Sequence, residues 1–181
     1  GRGTSKVKTS FTYGNKNGSQ MTDAVYEVRQ NGGLHKTYTY DGLGRKTQTM
    51  MSMGGANKPI RYTYVGVKDN RTTTMLESLD NFGEKLSYTY DDNGNIASAT
   101  LNGKWTGYTY DALGQLIQVN DHSDTRSGEN GTTWKYTYDL GGNILKKERF
   151  AYADTTNPLE TVTYTYGDAN WRDKLTAVNG N

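Results

Sequence analysis

Four aspartates recur in one local setting: Asp41-Gly42-Leu43-Gly44, Asp91-Asp92-Asn93-Gly94, Asp111-Ala112-Leu113-Gly114 and Asp139-Leu140-Gly141-Gly142. A carboxylate repeated in this way could ligate metal or cap a turn. The run Asp91-Asp92-Asn93-Gly94-Asn95 has a passing likeness to a calcium loop, but the alternating acids and terminal Glu of such a loop are absent. The turn reading explains both type and spacing. Asp at the first position of a type I turn accepts from a backbone N–H two residues on, and Gly takes the positive φ that follows. A type I turn closed by a left-handed Gly is a hairpin loop with a G1 bulge. No metal or cofactor is therefore expected.

Catalytic chemistry fares no better. The chain has two histidines, His35 and His122, and the second stands in His122-Ser123-Asp124. A nucleophile, its base and the group that orients the base must meet in space, and adjacency in a polar loop does not supply that. With no activated nucleophile to name, no catalytic residue is assigned.

What positions the aspartates is a repeat. Tyr-Thr-Tyr occurs with its tyrosines at Tyr38 and Tyr40, Tyr62 and Tyr64, Tyr88 and Tyr90, Tyr108 and Tyr110, Tyr136 and Tyr138, and Tyr164 and Tyr166; a degenerate copy, Phe11-Thr12-Tyr13-Gly14, precedes them. These copies hold 13 of the 15 tyrosines, so the pattern is the organising feature of the chain. The turn glycines are Gly44, Gly94, Gly114 and Gly142; Val65 and Gly167 stand where the other two copies should have Asp. Leu79 to Gly83 reads as the same turn without its tyrosine pair, and Gln30-Asn31-Gly32-Gly33 as a further turn.

Residues two apart on a strand share a face. Ile60, Leu86, Trp134 and Val162 therefore join the tyrosines that follow them in an aromatic face, while the threonines between the tyrosines lie on a solvated one. Ile96, Leu116 with Ile117, and Ile144 with Leu145 follow the turns and can pack beside neighbouring tyrosines. The spacing of the copies varies while the turn stays fixed, which places the extra residues in loops between hairpins: Ser52 to Pro59, Asp121 to Thr133 and Ala153 to Pro158. No helix is expected, and Met21 to Arg29 has too much β-branching and alternation to prefer one.

Composition agrees. Hydrophobic residues make up 33% of the chain and mean hydropathy is -0.89, poor for an aliphatic core. Aromatics at 12% with a net charge of only +2 argue against disorder and point to a core that is aromatic and partly wet. The interspersed charges imply no nucleic-acid partner. The lack of cysteine excludes disulfides, and no apolar run reaches the ~20 residues of a membrane-spanning helix. A chain opening on Gly1-Arg2-Gly3 reads as a piece of something longer.

Among the tryptophans, Trp134 has the phase of the aromatic face. Trp105 has the opposite parity to Tyr108 and Tyr110 unless Gly107 introduces a bulge, so Trp105 is the candidate glycan contact. The triplets Asn17-Gly18-Ser19, Asn70-Arg71-Thr72 and Asn130-Gly131-Thr132 match the glycosylation pattern and read as Asn-rich turns.

The copies YTYDGLGRK, YTYDDNGNI, YTYDALGQL and YTYDLGGNI resemble the YD repeats of the Rhs family, which are similar to repeats in Tc toxin C subunits, wall-associated bacterial proteins and teneurins. The resemblance runs from about Phe11 to the end. It implies a curved or spiralling antiparallel sheet of hairpins, part of a hollow shell that encapsulates or displays a C-terminal toxin domain, in a protein secreted or held at the bacterial surface. On this reading residues 1–10 are an N-terminal flank, part of which could be vector-derived, and 11–181 a single array of about seven hairpins. The expected partners are the remaining repeats and the enclosed domain, with edge-to-edge self-association of the isolated segment. The alternative is an adhesion or carbohydrate-binding module.

Overall fold

The computed structural model describes residues 6–14, 24–31, 33–66 and 73–180, and the chain is all-β. Among the described residues the strands are β1 (Thr9–Tyr13), β2 (Val25–Gln30), β3 (Leu34–Tyr40), β4 (Lys46–Met53), β5 (Ala56–Tyr64), β6 (Leu76–Asn81), β7 (Glu84–Tyr90), β8 (Ile96–Leu101), β9 (Lys104–Tyr110), β10 (Leu116–Asp121), β11 (Thr132–Tyr138), β12 (Ile144–Ala151), β13 (Glu160–Thr165) and β14 (Ala177–Gly180). Strand order follows chain order, the arrangement that short antiparallel connections produce. The chain divides into two compact units, Gly1–Ser87 and Tyr88–Asn181, the division falling within β7. Gly1-Arg2-Gly3, Asn17-Gly18-Ser19, residues 21–23, Gly32 and Asn70-Arg71-Thr72 lie outside the described residues; the remainder of the 21–29 segment includes most of β2.

Two kinds of turn alternate. After a tyrosine pair the chain reverses as expected: Gly44 N–H donates to the Asp41 carbonyl at 3.0 Å and Asp41 N–H to the Arg45 carbonyl at 2.9 Å, and the same two bonds form at Asp91, Asp111 and Asp139. Gly44, Gly94, Gly114 and Gly142 have φ of 76°, 85°, 77° and 86°, the left-handed region where a Cβ is costly. A bulge follows the turns at Asp41, Asp111 and Asp139, in β4, β10 and β12. Thr39 opposes Gln48 while Tyr40 opposes Lys46, so Thr47 has no opposite number; Ile117 and Leu145 are left over in the same way. The bulge separates the paired apolar residues. Ile144 stays across from Tyr138, whereas Leu145 turns outward.

The other kind of turn corrects two expectations. Leu79 to Gly83 does not contain the Asp-x-x-Gly loop: its loop is Phe82-Gly83 alone, with φ of 59° and 95°. Two consecutive positive φ values make a type I′ turn, whose twist matches that of a hairpin. Asn102-Gly103 and Gly54-Gly55 form the same turn. Ser52 to Pro59 is accordingly strand rather than loop, since β4 runs to Met53 and β5 starts at Ala56. The alternating strand pattern there was masked by its polar residues. The stretches from Asp121 to Thr133 and Ala153 to Pro158 do contain longer connections, and the first includes a short 3-10 turn, Thr125–Ser127, that the sequence did not suggest.

The faces follow the period of two. Thr39, Thr63, Thr89, Thr109, Thr137 and Thr165 are exposed, and the tyrosines on either side of each are half-buried. Few side chains are fully enclosed. Trp134 (8% exposed) lies on the tyrosine face as expected, but Phe150 (2%) lies on the threonine face, opposite Thr133. The threonine face is thus not uniformly solvated: in Tyr88–Asn181 it carries Phe150, Trp105, His122 and Tyr152.

Candidate functional site

For a chain built of repeats, the functional geometry lies where one hairpin meets the next. Each second tyrosine of a copy stands at or just past the end of its strand, beside the start of the strand before it. In five copies its hydroxyl donates to the first carbonyl of that strand: Tyr40 to Val25 (2.8 Å), Tyr64 to Lys46 (2.8 Å), Tyr110 to Ile96 (3.0 Å), Tyr138 to Leu116 (2.6 Å) and Tyr166 to Ile144 (3.0 Å). Lys46, Ile96, Leu116 and Ile144 directly follow the Asp turns. In these four cases the hydroxyl ties a hairpin to the turn of the hairpin before it. Burial pushes the phenols of Tyr40, Tyr110 and Tyr138 above their ordinary value, so they remain protonated donors.

The first tyrosines do different work. Among the described residues none donates to a backbone carbonyl: Tyr38 lies under Lys46 Nζ at 4.6 Å, and Tyr62 meets Thr49 Oγ1 at 3.5 Å. The sequence carried a signal for this distinction that its reading missed. Phe11 replaces tyrosine at the first position of one copy, while Tyr13, Tyr40, Tyr64, Tyr90, Tyr110, Tyr138 and Tyr166 fill the second position in all. The one Phe falls at a first position, where no hydroxyl bond to a carbonyl is lost.

The turn aspartates are caps. Asp41 Oδ1 accepts from Leu43 and Arg45 N–H at 3.0 and 2.9 Å, Asp91 from Asn93 and Asn95, Asp111 from Leu113 and Gln115, and Asp139 from Gly141 and Asn143. The second oxygen takes the side chain four residues on, Arg45 at 2.7 Å or Asn95 and Asn143 at 3.0 Å. Hydrogen bonds from Asn95 and Asn143 hold Asp91 and Asp139 below the usual carboxylate range. At Asp41 desolvation opposes, but bonds from Arg45 and Leu43 prevail and lower it also.

That fourth residue also reaches forward. Arg45 Nη1 donates to the Thr73 carbonyl at 2.6 Å and its guanidinium lies 4.6 Å from the Tyr64 ring, while Asn143 donates to Asp173 at 3.0 Å. The two copies without a turn Asp use longer connections. Val65 N–H donates to the Met75 carbonyl. After Tyr166, Asp168 caps Asn170 and Trp171 N–H one residue later than the pattern, because Gly167 intervenes.

Among the described residues no group of three or more His, Cys, Asp or Glu side chains could hold a metal ion. His122-Ser123-Asp124 does not assemble: His122 Nδ1 lies 2.9 Å from the Asn130 carbonyl, Ser123 Oγ donates to Asp121, and Asp124 binds Arg126 and Trp134 Nε1. His35 pairs with Glu27 at 2.6 Å. Thr132 of the described glycosylation triplet is fully buried. Trp105 keeps the parity read from sequence. The pairing of β8 with β9 runs through Gly107 without a bulge, so Trp105 lies on the threonine face, 37% exposed. No helix among the described residues is long and apolar enough to cross a membrane.

Comparison with known proteins gives a family. A sequence model of the RHS repeat matches residues 90–126, the Asp91 and Asp111 hairpins. The chain is 35% identical over 136 residues to the tRNA3(Ser)-specific nuclease WapA of Bacillus spizizenii, covering 71% of this chain and 5% of that protein, and 34% identical over 165 residues to the tRNA nuclease WapA of Bacillus subtilis, covering 83% and 6%. It is 24% identical to toxin subunit YenC2 of Yersinia entomophaga, covering 81% and 18%. Solved structures of TcdB2-TccC3 and of the Photorhabdus luminescens Tc holotoxin pore are similar at TM-scores of 0.44 and 0.45, with 20% and 19% identity, each match covering 79% of this chain and 9% of the other. The chain spans a small fraction of each relative. With its tyrosine-ended strands, Asp-to-Gly turns and serial hairpin junctions, this chain belongs to the Rhs/YD-repeat family.

Proposed function

We propose that this segment is a length of wall in a hollow YD-repeat shell that encapsulates or displays a C-terminal toxin domain, in a protein secreted or held at the bacterial surface, and that it performs no catalysis of its own. The observation that carries this reading is the serial hydroxyl-to-carbonyl junction. The same bond joins a hairpin to its predecessor in five copies, a junction that lets hairpins be added without altering those already in place. Stability then comes from nearest-neighbour interfaces, as in other repeat proteins. The relatives named as nucleases and as a toxin subunit supply the context of an enclosed domain, and their lengths leave room for one.

The test uses the full-length parent protein. Limited proteolysis of the intact protein should spare the domain downstream of the repeats, and replacing several second-position tyrosines by Phe should expose it to cleavage at temperatures where the parent resists. Equal cleavage of that domain in both proteins would contradict containment. The isolated segment has strand edges in β1 and β14 that a wall would continue, so sedimentation should show concentration-dependent association. A monomer at all concentrations would remove self-association from the proposal.

A further inference from the structure

The outer strands of the sheet, β1 and β14, expose apolar side chains at positions that are covered elsewhere in the array. Along β1 and the residues leading into it, Val7, Phe11 and Tyr13 are 67%, 55% and 62% exposed; at β14, Leu175 and Val178 are 47% and 53% exposed. The tyrosines of the six full copies are half-buried. So are Val28, Leu79, Ala99, Val119 and Lys147, which occupy the place of Val178 on inner strands, and Thr49, in the same place, is buried. The two edges therefore lack the neighbour that every inner strand has.

The inner junctions define that neighbour by register. The first aromatic of a copy lies opposite a residue on the next strand, and that middle residue lies, on its other side, opposite the residue two places before the next first tyrosine. Phe11, Val28 and Lys36 make one such row ahead of Tyr38, and Tyr38, Thr49 and Ile60 the next, ahead of Tyr62. Tyr62, Leu79 and Leu86 repeat it, as do Tyr108, Val119 and Trp134, and Tyr136, Lys147 and Val162. The carbonyl that accepts from the second tyrosine always lies three residues before the middle residue: Val25 before Val28, Lys46 before Thr49, Leu116 before Val119 and Ile144 before Lys147. Row and hydroxyl bond are thus set together. Tyr164 lies opposite Val178, which makes Val178 the middle residue of a further row and Leu175 its acceptor. On β1 the residue two places before Phe11 is Thr9. Asn31 N–H donates to the Lys8 carbonyl at 3.1 Å, so Lys8 bonds towards β2 and the adjacent Thr9 turns its N–H and carbonyl to the open edge.

We propose that β1 of one chain pairs antiparallel with β14 of a second copy as one more inner junction, with Thr9 opposite Val178, Ser10 opposite Ala177 and the Tyr13 hydroxyl donating to the Leu175 carbonyl. Each chain offers a different edge to its partner, so the contact is heterologous. Phe11 becomes the diagonal neighbour of Val178 and both gain cover. Lys8 falls opposite Asn179, and the pairs from Val7 to Phe11 bring no two like charges together. This rests on the self-association put forward above and adds to it the edges, the register and the bond.

The chain has no cysteine, so introduced thiols report on this contact alone. Ser10 and Ala177 are both exposed. Chains carrying Ser10→Cys or Ala177→Cys, one of them isotopically heavy, are oxidised mildly, each alone and then mixed, and the linked products are resolved by mass. The mixture should give the heterodimer, and each variant alone only a small fraction of that yield. Adding Tyr13→Phe to the Ser10→Cys chain should lower the yield several-fold below saturating concentration, while Tyr152→Phe, on the connection after β12, should leave it unchanged. Dispersed amide spectra identify variants that have kept their fold, and Lys8→Cys with Asn179→Cys samples the same register if the first pair fails to fold. Equal linking of either variant with itself would leave self-association standing and overturn this register. Absence of the heterodimer at both pairs of positions, or an undiminished yield with Tyr13→Phe, would also overturn it. Containment is read separately, by protection of the downstream domain in the parent protein, so either idea can fail without the other.

Discussion

The units Gly1–Ser87 and Tyr88–Asn181 use the same hairpin and differ in what they enclose. Among the described residues of the first, only Thr49 is buried; the second buries Trp134 and Phe150 together with Ser98, Thr132 and Thr133. For Thr132 and Trp134 the source of the difference is one connection. The stretch between β10 and β11 folds back onto its own repeat: Thr132 Oγ1 donates to the Asp124 carbonyl at 2.6 Å, Trp134 Nε1 donates to Asp124 at 2.9 Å, and Arg126 and Lys147 stand over the Trp134 ring at 4.9 and 4.1 Å. In the corresponding place before Tyr62, Ile60 follows a two-residue turn that can cover nothing. The repeat supplies junctions, and an extended connection supplies a local core.

The largest effect should separate the two units. Trp134→Ala should cost about 3 to 5 kcal/mol, the range for emptying a buried aromatic site, whereas Ile60→Ala, at the same place in a half-buried strand, should cost about 1 to 2 kcal/mol. Urea denaturation of both variants measures this, and equal losses would break the comparison. Next in size, Gly44→Ala in the first unit and Gly114→Ala in the second should each cost about 1 to 2 kcal/mol. Their Cβ positions are open and their φ values are 76° and 77°, so the backbone alone acts and the losses should match.

A smaller effect tests what the units share. Tyr40→Phe and Tyr138→Phe should each cost about 1 kcal/mol by removing the junction bond, while Tyr38→Phe and Tyr136→Phe, which keep the ring and lose no backbone bond, should be near neutral by the same denaturation. Equal losses at first and second positions would show that ring burial alone holds the repeats.

The smallest effect concerns acid. In the first unit Glu27 is held down at about 2 from an ordinary 4.5, chiefly by the bond from Arg29 and then by that from His35; in the second, Asp91 and Asp139 are also lowered. A group whose folded value lies below its unfolded value contributes stability above the unfolded value and loses it as pH falls through the folded one. The thermal midpoint should therefore decline from pH 4.5 towards 2, and Glu27→Gln should flatten that decline in part. A midpoint that rises in this window would reverse the assignment.

The hairpins were readable because their determinants are local. Asp41 and Gly44, or Asp139 and Gly142, fix a turn within five residues, and alternation fixes the face of each tyrosine from its neighbours. Three features were not readable, each for a physical reason. The type I′ turn at Phe82-Gly83 puts an aromatic residue at positive φ, a conformation no propensity favours. The burial of Phe150 depends on Thr133 across the strand pair and on side chains from distant positions. The ring of Trp105 covers Gly107, and the stacked rings of His122 and Tyr152 beside it come from beyond the ends of two other strands, a juxtaposition set by register rather than by spacing. The parity of Trp105, being local, was legible.

The hydroxyl protons of the tyrosines test the junction most directly. In NMR spectra of the chain, Tyr40, Tyr64, Tyr110, Tyr138 and Tyr166 should show slowly exchanging hydroxyl protons with cross-peaks to the strand-opening residues Val25, Lys46, Ile96, Leu116 and Ile144 or the residues that follow them. Tyr38, Tyr108, Tyr136 and Tyr164 should show none. Fast exchange at all of these hydroxyls, or cross-peaks spread without regard to position in the copy, would mean that the hairpins are not joined in this way.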